Sequence, residues 1–173
     1  YDTELLGHWW REGPLWLRGV LSELGDKSSL PGPVAARALS GEPTVISPAM
    51  TAWNADGTFS TWVNAGTADI WRETHLAEEA CLRHIETGRG DEVAKRALTQ
   101  AARELLLMES SDWTFMITRG EAAGYARDRF SSHRSRFLAV TGMLDRGEID
   151  TASLASLEDT DNLFPWLTPR YWD

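Results

Sequence analysis

The chain has a single cysteine, Cys81, among its 173 residues. It therefore forms no internal disulfide and no thiolate metal cluster, and this usage fits a reducing compartment. Basic residues are also in short supply, with 17 Lys and Arg against 26 Asp and Glu and a formal net charge of -9. An acidic surface repels phosphate backbones, which argues against a nucleic-acid partner. No apolar run approaches the roughly 18 residues of a membrane span, and no charged-then-apolar leader opens the chain. The expectation is a soluble, cytoplasmic protein with no membrane partner.

Several chemical signatures are missing as well. Ser110-Ser111 and Ser131-Ser132 lack the Gly-x-Ser-x-Gly frame of a nucleophile elbow, so no serine hydrolase is indicated. Gly88-Arg89-Gly90 is not followed by Gly-Lys-Ser or Gly-Lys-Thr, and reads as a turn between helices rather than a phosphate loop. His75 and Glu79 lie four apart with His84 further on, but a zinc site needs three or four convergent ligands at a recognisable spacing. No metal and no other cofactor is expected. His133, beside Arg134 and Arg136, reads as part of a solvated basic face.

What the chain does have is apolar residues at 42%, enough for one compact core, and nine Trp against five Phe and three Tyr. A core built only for packing favours Phe and Leu, which carry no polar atom in need of a partner. The indoles therefore either offer their faces to a ligand or anchor loops.

Along the chain, Tyr1 to Gly7 reads as the end of a strand, and Leu15, Trp16, Leu17, Val20, Leu21 and Leu24 recur at helical spacing after Pro14, predicting a helix over 14–24 that stops at Gly25. Together they make one βα unit, which cannot stand alone because a parallel strand needs neighbours. Opening at Tyr1 without a methionine, the chain reads as a fragment. From Asp26 to Gly66 four prolines break any long helix, although 34–39 fits a short one; this stretch is expected to be mostly irregular, with Trp53, Phe59 and Trp62 arguing against disorder.

Beyond Gly66 the pattern is helical. Ile70, Trp71, Ala77, Cys81, Leu82 and Ile85 form one apolar stripe; Val93, Ala97, Ala101, Leu105 and Met108 form a second, in a helix from Asp91 that could continue through Phe115 to Ile117 for about 40 Å. A third helix is predicted over 121–144, with Tyr125, Phe130, Phe137, Leu138 and Val140 on its apolar side, and a short one over 152–157. The tail at 162–167 is apolar enough to dock onto the body. The chain is thus mainly α: residues 1–25 form the last strand end and helix of an incomplete (β/α) barrel, and 26–173 form a C-terminal helical bundle with a long irregular segment.

Asp2 and Glu4 share a strand face at about 6.6 Å rise, a spacing compatible with acid and base work. Two acids at a strand-to-helix junction serve equally well to cap the helix and answer its dipole. Trp53 and Trp62 sit in a segment that cannot form a periodic core, and Trp113 follows Asp112. Indoles beside carboxylates and amides suit a carbohydrate, and they also suit loop anchoring.

The run from Tyr1 to Pro14, Tyr-Asp-Thr-Glu-Leu-Leu-Gly-His-Trp-Trp-Arg-Glu-Gly-Pro, resembles the fourth conserved region of glycoside hydrolase family 57, in particular its 1,4-α-glucan branching enzymes. Thr51-Ala52-Trp53-Asn54 with Trp62 is similar to the fifth region. The segment Leu105 to Thr118 resembles the family's long helix, and Asp161-Asn162-Leu163-Phe164-Pro165 resembles its closing segment. Departures are Leu6 where the family usually has Phe, Arg11 where an aromatic is usual, and Asn54 where the tryptophan is usually followed by glycine.

The resemblance implies a retaining enzyme acting on an α-1,4-glucan, with Asp2 as general acid/base. It implies that His8, Trp9 and Trp10 wall the active site, that Trp53 and Trp62 lie on the glucan path, and that Asp112 and Trp113 line the cleft from the helical domain. The family's glutamate nucleophile belongs to an earlier strand, so the partner implied for this piece is a missing N-terminal barrel portion. A family-57 α-amylase, a 4-α-glucanotransferase, or a non-catalytic glucan-binding module are the alternatives.

Overall fold

A computed structural model describes residues 5–27, 32, 45–54, 56–87 and 91–168. Asp2, the expected strand residues 1–4, the expected short helix at 34–39 and the expected turn at 88–90 lie outside the described residues. The described part is helical and contains no strand. It divides into two compact units, 1–49 and 50–173.

In the first unit α1 runs Gly13–Leu24, with proline in its first turn and Gly25 at its end, as the spacing predicts. Residues 5–7 are not strand. Gly7, at φ +99°, reverses the chain so that its N–H donates to the Trp10 carbonyl at 2.9 Å, while the Trp10 N–H donates to the Leu5 carbonyl at 2.8 Å. Gly13 completes this hook. A Cβ there would meet the Leu6 side chain at 3.0 Å and the Trp10 ring at 3.1 Å, so any larger residue would press on both where the turn folds back onto the start of α1.

Among its described residues the second unit is a bundle of five helices: α2 Ala68–Thr87, α3 Glu92–Met108, α4 Ser111–Arg119, α5 Ala123–Arg146 and α6 Thr151–Thr160. Asp91 starts α3 by accepting from the N–H groups of Val93 (3.0 Å) and Ala94 (2.9 Å), and Asp150 starts α6 by accepting from Ala152 and Ser153. Gly147, at φ +65°, ends α5 by donating to the Leu144 carbonyl. α3 and α5 are the most extensively packed pair, with α4 against α5 next. The core between them holds Ile70, Cys81, Ala97, Ala101, Leu105, Met108, Phe130, Phe137, Val140 and Leu154.

Four expectations fail here. Leu82, Tyr125 and Leu138 belong to apolar stripes in the sequence but are exposed, because each lies at the edge of its stripe. The long helix does not continue to Ile117: α3 ends at Met108, Ser110 is extended at φ -55° and ψ +120°, and a separate helix begins at Ser111. Physically, the break lets Trp113 fold back so that its indole N–H donates to the Leu107 carbonyl at 2.7 Å. That carbonyl lies in the last turn of α3, where no intrahelical donor remains. The tail docks as expected. Leu167 packs against the core, and Arg103 Nε donates to the Leu163 carbonyl at 2.9 Å.

Candidate functional site

The irregular segment at 50–67 is held to the bundle by side chains rather than by a ladder. Thr67 Oγ1 and Trp71 Nε1 each donate to the Trp62 carbonyl at 2.8 Å, and Asn64 Nδ2 donates to Thr118 Oγ1 on α4 at 2.9 Å. These ties fix Trp62 over α4. There Phe115 lies between two indoles, its ring centroid 6.3 Å from Trp62 and 6.4 Å from Trp53. Trp62 is half-buried, whereas Trp53 is 77% exposed. The three rings form an aromatic platform open to solvent at the Trp53 end.

Polar groups rim this platform. Asn54, next to Trp53, donates from Nδ2 to Ser60 Oγ at 3.4 Å and to Thr61 Oγ1 at 3.3 Å. Its Oδ1 is buried and has no hydrogen-bond partner among the described residues. Asp56 accepts from the Thr58 N–H at 3.0 Å and from the Thr58 and Ser60 hydroxyls at 2.9 Å each, and these bonds, the backbone one foremost, hold its carboxyl below the usual value. Ring faces beside hydroxyls, an amide and a carboxylate can take a ligand with apolar CH faces and many hydroxyls.

Other residues singled out from the sequence fall as follows. Asp2 lies outside the described residues. In the first unit His8 and Trp9 are exposed and meet edge-on at 4.8 Å, and Trp10 is half-buried with its ring 5.3 Å from Trp16. In the second unit Asp112 is exposed in the first turn of α4, three residues before Phe115 and hence on its side of the helix. Trp113 is turned toward the core, with its N–H on Leu107 and its ring edge-on to Tyr125 at 6.3 Å. Phe115 was not singled out, though an aromatic three residues after Asp112 in a short helix was the available signal.

His133 is a correction. It is wholly buried, not part of a solvated face. Its Nδ1 faces Glu104 Oε2 at 2.9 Å, its Nε2 faces Arg129 Nη2 at 3.0 Å, and Asp161 Oδ2 lies 3.7 Å from Nδ1. Gln100 Nε2 donates to Glu104 Oε1 at 3.0 Å, and Arg136 pairs with Asp161. The signal was its place between Phe130 and Phe137 at spacings of three and four, the buried stripe of α5.

Glu104, His133 and Asp161 are the one grouping of three metal-type ligands among the described residues. Their surroundings do not fit a cation. A metal on Nδ1 would leave a proton on Nε2, facing a guanidinium that has only donors. With the roles the partners dictate, Nδ1–H donates to Glu104 and Nε2 accepts from Arg129, which closes the network without an ion. His75 is exposed with its ring 5.9 Å from that of Trp71, and His84 pairs with Asp145 at 3.3 Å, so they do not gather with Glu79.

Fold and platform together define a helical domain that carries a loop-borne aromatic surface. Residues 73–172 match the family described as "1,4-alpha-glucan branching enzyme, C-terminal". The 1,4-alpha-glucan branching enzyme TK1436 of Thermococcus kodakarensis is 41% identical over 172 residues, which is 95% of this chain and 25% of that protein. The crystal structure of a GH57-type branching enzyme from Pyrococcus horikoshii superposes with a TM-score of 0.70 at 33% identity, covering 98% of this chain and 33% of that one. The alpha-amylase AmyC from Thermotoga maritima superposes at 0.62 with 32% identity, covering 98% of this chain and 32% of its own. The chain belongs to the C-terminal family of GH57 1,4-α-glucan branching enzymes. It spans about a quarter to a third of the length of these relatives. No described helix is long and apolar enough to cross a membrane.

Proposed function

We propose that these residues are the C-terminal part of a retaining 1,4-α-glucan branching enzyme, the first unit contributing the general acid/base Asp2 and the second a glucan-contacting surface, with the glutamate nucleophile on the rest of the enzyme. The observation that carries the reading is the platform, with Trp53 standing out in solvent beside Phe115 and Trp62. An indole exposed at the end of a row of rings leaves a face free, and a glucose ring stacks its CH face on an indole.

In the proposed cycle an upstream glutamate attacks the anomeric carbon while Asp2, protonated, gives its proton to the departing glycosidic oxygen. The glucosyl-enzyme bond then breaks as Asp2, now a carboxylate, takes the proton of a glucan 6-hydroxyl whose oxygen bonds to the same carbon. Acid and base roles thus alternate at one residue, and no proton is gained or lost over the cycle. His8, Trp9 and Trp10 would wall the reacting site, and Trp53 and Trp62 would carry the chain. Asp112 would face it from α4. Trp113 would offer at most a ring face, since its N–H is held by Leu107.

The test is made on the full-length enzyme with amylose, counting new α-1,6 linkages. The unsubstituted enzyme is expected to form them and Asp2→Asn to abolish turnover with little change in binding; near-normal branching by the variant would overturn the assignment. The likeness to the alpha-amylase AmyC favours hydrolysis as a second reading. Release of reducing ends without new branch points would select it.

A further inference from the structure

We infer that Asn54 is a positioning residue for the glucan-contacting platform, a reading that rests on the proposed role of Trp53. The two indoles are held very differently. Trp62 is fixed through its carbonyl to Thr67 and Trp71, and Asn64 fastens the same stretch to Thr118. Trp53 instead sits on a tight turn, where the Ala52 N–H donates to the Gly57 carbonyl at 3.1 Å and the Gly57 N–H to the Asn54 carbonyl at 3.2 Å. Among the described residues no backbone hydrogen bond ties that turn to α4.

Two side chains tie the turn to the anchored stretch. Asp56 reaches Thr58 and Ser60, both within four residues. Asn54 reaches further, to Ser60 and to Thr61, the neighbour of Trp62. Its amide therefore couples the residue after one indole to the residue before the other, and so sets how the two rings flank Phe115. The same side chain has a buried carbonyl oxygen without a partner among the described residues, which opposes its use as a simple stabiliser. Removing it deletes two long hydrogen bonds and a contact with Asp56, and also removes that buried acceptor, so the fold loses little while the indole loses its register.

The test is a double-mutant cycle in the full-length enzyme on amylose, using Trp53→Ala, Asn54→Ala and both together, with kcat and KM measured separately. Trp53→Ala is expected to raise KM. Asn54→Ala is expected to raise it about 3- to 10-fold with kcat within about 2-fold, as loss of uniform binding does, and to add nothing on the Trp53→Ala background. Thr61→Val, which deletes the hydroxyl that receives the tie, is expected to match Asn54→Ala and serves if that variant folds poorly. An unchanged KM in Asn54→Ala and Thr61→Val beside a raised KM in Trp53→Ala overturns the inference and leaves the platform reading standing. Full additivity in the double variant also overturns it. An unchanged KM in Trp53→Ala removes the platform reading, and this inference with it.

Discussion

Glu104 offers the sharpest test of what holds the bundle together. Its carboxylate is wholly buried and receives two donors, Gln100 Nε2 at 3.0 Å and His133 Nδ1 at 2.9 Å. In Glu104→Ala, Gln100 keeps longer contacts to the carbonyls of Leu157 (3.3 Å) and Asp161 (3.2 Å). The His133 Nδ1–H is left with only Asp161 Oδ2 at 3.7 Å, beyond hydrogen-bond reach, while Nε2 keeps Arg129. An unmet buried donor costs about 1–3 kcal/mol and a lost hydrogen bond to a charged group about 1.5–3 kcal/mol, so the expected loss is about 2–4 kcal/mol. Glu104→Gln keeps the shape and one acceptor, but turns an NH2 toward a donor, and should lose about 1–3 kcal/mol. Urea unfolding followed by circular dichroism measures both, and with a slope of about 1–3 kcal/mol per molar the midpoint for alanine should fall by roughly 1 M or more. A loss below about 1 kcal/mol for Glu104→Ala, less than one unmet buried donor costs, or a glutamine variant less stable than the alanine one, would refute the reasoning.

Three further outcomes are expected. Cys81 is buried, and burial together with the nearby Glu109 carboxylate pushes its thiol up to about 11; thiol reagents at neutral pH should modify it only after denaturant is added, and labelling of the native chain would contradict this. Asp56 is held below the ordinary carboxylate value by the Thr58 N–H and the Ser60 and Thr58 hydroxyls, so its support of the turn is complete above that value and disappears as pH falls through the lowered one. The Thr58 amide resonance should report this titration in acid and lose it in Asp56→Asn. Trp113→Phe keeps a ring against Tyr125 but leaves the Leu107 carbonyl without its donor, a loss of about 1–2 kcal/mol by thermal unfolding; unchanged stability would show that the indole does not cap α3.

Much of the fold was legible because local signals agreed. Asp91 before a run with apolar residues at three and four announces α3, and Gly147 after Arg146 announces the end of α5. The break at Glu109 and Ser110 carried one signal, an N-cap type residue at Ser110, but the apolar spacing runs on across it and the contact that accompanies the break, Trp113 reaching back to Leu107, is not a local one. His133 was misread for a related reason. Flanked in sequence by Arg134 and Arg136, it looks solvated, yet in α5 those neighbours point elsewhere and pair with Glu73 and Asp161. Periodicity outranks composition at such a position. Of the platform, Trp53 and Trp62 stand out as indoles in a stretch without a core, but only the bend after α3 brings Phe115 beneath them.

That bend connects the two unusual features of the second unit. Glu104 and Gln100 on α3 lock that helix to α5 and to the chain after α6 through buried polar contacts. One turn further along the same helix, the Leu107 carbonyl receives the Trp113 indole and so orients the start of α4, which carries Phe115. Asn64, in turn, donates to Thr118 on α4 and holds the Trp62 stretch against it. A buried network of charged groups is poor value for stability alone, since an apolar replacement is often as good or better. Directional bonds do what apolar packing does not: they fix rotation and register as well as proximity. On this chain they begin in the core at Glu104 and end one helix away, at Phe115 and the two indoles that flank it.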